Sequence, residues 1–198
     1  MKKSILLLSL FALIGLSATA QRSTPAKDAD YSFLKSEKSI NLLFDYEGMT
    51  IGKNQTEVDY VEAQVAERNE KKAGTGDEWR KSWEKGKLNI YEPSFRAGFS
   101  KKVEKVGVKV TEGDEAPVTL IIRPTRIEPG FNIGITRMNA QVDFEFVFVE
   151  TANHDNIIAQ VILPKVYGSD AFAVSDRVKI AFLGGGKRLS GYIAKQLK

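Results

Sequence analysis

The tightest constraint in this chain lies near its end. Val174, Val178, Ala181, Gly185, Leu189, Tyr192 and Ile193 recur at three- and four-residue intervals, the spacing of one face of an α-helix. The stripe passes through three consecutive glycines, Gly184, Gly185 and Gly186, without losing phase. Each glycine costs ~1 kcal/mol relative to alanine inside a helix, so the run gives up roughly 2–3 kcal/mol. A helix that keeps its period across such a run needs compensation. A strip of backbone bare of side chains can supply it by pressing close to a sheet or to a second helix; a local hinge is the alternative. A long C-terminal helix over 172–197 is therefore expected, together with a surface that can receive it.

The same stretch, LGGGKRLSG, invites a phosphate-binding reading that its details deny. A phosphate loop needs G-x-x-x-x-G-K-[ST] between a strand and a helix. Gly186 and Lys187 fit, but Arg188 stands where the hydroxyl belongs and Ala181 where the first glycine belongs. The dinucleotide form fails as well, because Leu189 occupies the place of its third glycine and no strand opens into it. Lys187 and Arg188 are expected on the solvent side of the helix.

Upstream, the period changes twice. INLLFDY (40–46) is an apolar run bounded by turn-like glycines, the pattern of a buried strand. Val58, Val61 and Val65 then recur at helical spacing over 55–73, DEWRKSW follows with Asp77 as a possible cap, and Phe95, Phe99, Val103 and Val106 mark a third helix over 92–106 with Pro93 in its first turn. Strand signals follow at 108–110, 117–127, 140–150 and 156–166. EGDEA, EPGF and TANHD hold the turn formers that would join them as sequential antiparallel strands. Pro124 cannot donate to a ladder, so its strand is expected at an edge or bent. The fold class is α+β: a single two-layer domain over 39–198, an antiparallel or mixed sheet of about five strands with helices on one face and the long C-terminal helix.

Residues 1–20, MKKSILLLSLFALIGLSATA, place two lysines before an apolar run and end in small residues, the order of a signal peptide rather than a membrane span. Cleavage is expected after Ala20, with an uncleaved anchor as the alternative. No cysteine follows the run, which closes the lipoprotein route and leaves an exported product, periplasmic or extracellular, with no transmembrane segment in the mature chain. Residues 21–38 are polar and read as a flexible N-terminal segment, although Tyr31, Phe33 and Leu34 could dock on the body. Because the chain has no cysteine at all, disulfides are excluded and a packed core must carry stability. Loss of Lys2 and Lys3 brings the 29 basic and 25 acidic residues closer to balance, and no nucleic-acid partner is implied.

Candidate chemistry is sparse. Thiol catalysis is excluded, and the single histidine, His154, sits in a predicted hairpin loop without companions for a metal site. Asp143 and Glu145 share one strand face and could act as an acid–base pair. Val142, Phe144, Phe146 and Phe148 fill the other face, so the two acids are also where water should be, with Arg123 or Arg126 of a neighbouring strand as candidate partners. Trp79, Trp83 and Tyr91 are the binding candidates, an aromatic platform for a sugar or peptide that Arg80, Lys81, Lys85 and Lys87 would ring, or else core residues one helical turn apart. No cofactor and no metal site is implied.

INLLFDYEGMTIGKNQTEVDYV, GDEWRKSWEKGKLNIYEPSFRAGFSKK, RIEPGFNIG and GGGKRLSGYIAKQLK, in that order, resemble a family of uncharacterised exported proteins of Gram-negative gut and oral bacteria. That resemblance implies no activity and transfers no site residues. The order of elements is also loosely similar to small α+β envelope-assembly domains such as the N-terminal domain of the Tol–Pal periplasmic propeller protein, at the level of fold alone. The expected function is a non-catalytic exported cell-envelope protein that binds another protein or an envelope polymer, with self-association into a homo-oligomer as a further possibility. The alternative is a carbohydrate-binding or carbohydrate-active protein using the Trp79/Trp83 face.

Overall fold

Alternation along the strands and the three helical stripes build two layers. The structure, a computed structural model, describes residues 23–198 apart from Asp114, so the signal-peptide reading lies outside the described residues. In chain order the elements are β1 (Thr24–Pro25), α1 (Leu34–Glu37), β2 (Ser39–Phe44), β3 (Thr50–Ile51), β4 (Gln55–Thr56), α2 (Glu57–Lys71), α3 (Thr75–Gly86), a π-helical turn (Lys87–Tyr91), α4 (Glu92–Glu104), β5 (Lys109–Thr111), β6 (Val118–Glu128), β7 (Phe131–Asn132), β8 (Arg137–Met138), β9 (Gln141–Glu150), β10 (Asn153–Tyr167) and α5 (Val174–Leu197). The main sheet runs β1-β10-β9-β6-β2-β5, with β3 joined to β6 and β4 to β3. It is mixed: β6, β9 and β10 are antiparallel neighbours, whereas β2 lies parallel to both β5 and β6.

The buried face of β9 carries Val142, Phe144, Phe146 and Phe148. Phe95 of α4 packs against Phe144 and Phe146, and Phe182 of α5 meets Phe144 edge-on at 5.2 Å. Such aromatic pairs add to the area they bury, and they lock the two helices over the centre of the sheet.

The EGDEA connector departs from expectation, whereas Pro124 and the N-terminal segment take alternatives their residues left open. EGDEA does not make a hairpin, because β5 is a three-residue stub beside β2, and the chain passes to the other side of β2 before β6 begins. β6 as a whole is not an edge strand, but Pro124 falls between its ladder with β2, which ends at Ile122, and its ladder with β3, which begins at Arg126, so it pairs with β9 alone, and a register irregularity follows it, as the expected edge or bend requires. The N-terminal segment read as flexible packs from residue 23 onward. Tyr31 and Leu34 are buried, Thr24 and Pro25 pair with β10, and Gln196 at the end of α5 accepts from Tyr31 N and donates to Ala29 O.

Asp77 is not a cap either. α3 begins two residues earlier at Thr75, whereas α2 is capped by Thr56, whose Oγ1 accepts from Asp59 N at 3.1 Å. Thr56→Ala removes this acceptor and is expected to lower stability by about 1 kcal/mol in urea unfolding, with Thr56→Ser restoring it.

The helix over 172–197 forms as α5 two residues later than expected and runs unbroken through the glycines. The glycines meet two surfaces, Gly184 and Gly185 the sheet and Gly186 the helix α4. A Cβ on Gly185 would lie 2.9 Å from Phe144 Cε2 of the sheet, whereas one on Gly186 would run into Phe95 O and sit 2.9 Å from Phe99 N of α4. The reciprocal position on α4 is Gly98, where a Cβ would run into Leu183 O of α5. Close packing is therefore the use of the run, and it works in two directions at once.

Candidate functional site

A recess opens where α2, α3, the π-turn and the start of α5 meet. Trp79 and Trp83, one turn apart on α3, stack with centroids 5.6 Å apart. Tyr60 of α2 closes on both, at 6.1 and 5.4 Å. Only Trp79 keeps partial exposure; Trp83 and Tyr91 are buried. The Trp83 indole donates to Glu57 Oε1 at 2.7 Å, and Lys87 Nζ donates to the same carboxylate at 2.6 Å.

The three predicted binding residues thus share a neighbourhood but do not form an open platform. Trp79, Trp83 and Tyr91 all border one cavity of about 520 Å³, to which the two buried rings contribute little surface. Arg68 and Trp83 both lie against the Trp79 ring, the Arg68 guanidinium carbon 4.6 Å from its centroid, leaving less of its face for a stacked ligand. Burial raises the pKa values of the Tyr60 and Tyr91 phenols, consistent with a core role.

Arg177, which sequence reasoning missed, organises the rim. Its Nε donates to Pro129 O at 2.8 Å, Nη1 to Ala171 O and Phe172 O at 2.7 Å each, and Nη2 to Gly130 O at 3.2 Å. The side chain makes no ion pair among the described residues, and burial lowers its pKa. Four carbonyls from two loops take the place of a carboxylate. A second cavity of about 480 Å³ shares Arg68, Trp79, Phe172, Val174 and Arg177 with the first and extends to the base of the β7–β8 hairpin.

That hairpin stands off the main sheet, its two strands pairing only with each other. Gly134, at φ +84°, takes the first central position of a two-residue loop closed by Ile133 N donating to Thr136 O at 3.0 Å. Asn132 and Arg137 face Asp170 and tie the hairpin to the loop before α5, at 2.6 and 3.1 Å. The apolar residues stay uncovered: Ile133 is 71% and Ile135 98% exposed, Phe131 and Met138 are partly so, and Phe172 across the second cavity is 79% exposed. A Gly-X loop between apolar residues was the available sequence signal, hidden inside a connector read as a simple turn.

The remaining candidates are structural in their surroundings. Asp143 accepts from Arg126 Nε at 2.8 Å, while Glu145 accepts from Gln160 Nε2 at 2.6 Å and has Arg123 Nη1 3.7 Å away. His154 lies in β10, not in a loop, and is exposed. Among the described residues no group of three or more His, Asp or Glu is placed to hold a metal ion, and no helix is long and apolar enough to cross a membrane.

A comparison with protein-family models finds no match, and one with curated proteins finds none either. Among solved structures the chain is similar to a chain of the PelC dodecamer from Paraburkholderia phytofirmans, at 13% identity and a TM-score of 0.35, over 89% of this chain and 91% of that one.

Proposed function

We propose that this is a non-catalytic binding protein of the cell envelope, exported to the periplasm or beyond it, that captures another protein through the β7–β8 hairpin and the Phe172 loop. One observation carries the reading: Phe131, Ile133, Ile135, Met138 and Phe172 form an apolar surface around one hairpin, held in place by Arg177 and Asp170 instead of being buried. Exposed apolar clusters of this kind, on a rigid base and beside a polar rim, are what interfaces are built from. The N-terminal sequence pattern and the resemblance to exported proteins support the envelope as the setting.

The absence of native cysteine makes the test clean. A thiol-directed photocrosslinker on Ile135→Cys is expected to capture a discrete partner in envelope extracts, and the same reagent on Glu84→Cys, an exposed site on α3, is not. Equal capture at both sites, or none at Ile135, would overturn the reading. Ile133→Ser combined with Ile135→Ser should abolish the adduct formed from a nearby Thr136→Cys reporter without lowering the unfolding midpoint, since neither isoleucine is buried.

A further inference from the structure

A separate surface lies where the last turns of α4 and α5 run side by side. Lys101, Lys102 and Lys105 follow one another along the end of α4, and Gly191, Ala194, Lys195 and Lys198 recur at three- and four-residue spacing on α5. Because Gly191 has no side chain, the helices leave a trough of about 390 Å³ between them, bordered by Lys102, Lys105, Lys195 and Lys198 over a floor of Val106, Gly191 and Ala194. No acidic residue borders it.

Lysines near helix C-termini commonly serve the unpaired carbonyls there. Among the described residues none of the trough lysines does so here: Lys102 Nζ donates at 3.0 Å to Lys187 O, a carbonyl in the middle of α5, and the ammoniums of the other three bond to no carbonyl. Among the described residues Lys105, Lys195 and Lys198 form no ion pair, although acidic residues elsewhere on the surface pair with Lys71, Lys87, Arg123, Arg126 and Arg137. In a chain whose total charge is close to balanced, four unpaired-by-carboxylate cations around one trough make a local field that favours an anion.

We propose that this trough binds a linear acidic polysaccharide, a chain of sugars carrying regularly spaced carboxylates. Its concave shape does not match a flat bilayer. Its walls are the last turns of two helices, whose N–H groups already bond within the helices, so an extended peptide would find no backbone donors for its carbonyls, whereas a sugar polymer keeps its hydroxyls in water. Neither arginine nor an aromatic ring borders it, which removes the stacking platform a single-stranded nucleic acid would use. Lysine ammoniums on flexible stems fit repeating carboxylates as point charges, without demanding one fixed geometry. This site lies on elements different from those of the hairpin and does not depend on it.

Titration of the full mature chain with polygalacturonate oligomers in 50 mM salt is expected to show binding that weakens about tenfold or more at 200 mM salt, as counterion release requires. The triple variant Lys105→Gln, Lys195→Gln, Lys198→Gln should weaken it at least tenfold. A charge-matched control, Lys53→Gln, Lys81→Gln, Lys85→Gln, should leave it within twofold, all six lysines being exposed. No binding at low salt, equal losses in the two triples, or tighter binding to polyglutamate or to phosphatidylglycerol vesicles than to polygalacturonate would each overturn the proposal.

Discussion

Gly186→Ala and Gly98→Ala are each expected to destabilise the protein by about 3 kcal/mol, although alanine is the better helix former by ~1 kcal/mol. The sign follows from the α4–α5 crossing. A Cβ at either position runs into backbone, Phe95 O in one case and Leu183 O in the other, and backbone inside a helix cannot step aside as a side chain tip can. The helices must separate, and the aromatic contacts of Phe95 and Phe182 with Phe144 loosen together. For a chain of this size a loss of that order lowers the midpoint of thermal unfolding by roughly 6–12 °C. Gly191→Ala is the control, because its Cβ would meet only Lys102 Nζ at 3.2 Å, the far end of a side chain that can step aside. That variant should gain up to about 1 kcal/mol from propensity alone. If all three alanines stabilise, close packing is not the purpose of the glycines.

The second large effect is expected at Arg177. Replacing it with methionine keeps much of the apolar stem but removes four hydrogen bonds to backbone carbonyls on two loops. Hydrogen bonds from a charged donor contribute more than neutral ones, and buried acceptors left unpaired carry a desolvation penalty, so a loss of about 3 kcal/mol is expected. A local readout separates this from general damage. Backbone amides of 129–134 and 168–173 should lose exchange protection before those of β9, and crosslinking through Ile135→Cys should fall as the hairpin base loosens. A neutral or stabilising Arg177→Met would mean that desolvating the guanidinium offsets its bonds.

Much of the fold was legible in residue periods. The alternation of Val142, Phe144, Phe146 and Phe148 set the buried face of β9, and the stripe from Val174 to Ile193 carried α5 through the glycines, because both depend on repeating geometry within one element. The partner of that helix was not legible. Gly98 stands 88 residues before Gly186, and nothing local to either marks them as facing surfaces.

The candidate site was legible only in part. Trp79, Trp83 and Tyr91 do cluster, since spacing on α3 and its continuation through the π-turn brings them to one side, yet their exposure was decided by Tyr60, Arg68 and Glu57 of α2. Arg177 gave no local signal because its partners are carbonyls, which every residue possesses. The lysine trough left no mark in either stretch alone, because only the side-by-side course of the ends of α4 and α5 joins their lysines into one surface.

What the sequence determined by itself is the long strands and helices, the faces that β9 and α5 bury and the need for compensation at the glycines, all consequences of short-range stereochemistry and the transfer of apolar side chains from water. Tertiary structure decided which surfaces meet: the Gly98–Gly186 crossing, the four carbonyls around Arg177, the uncovered hairpin and the gathered lysines. Each of these joins groups far apart in the chain, and contacts of that kind are selected by the packing of the whole molecule rather than by the residues beside them.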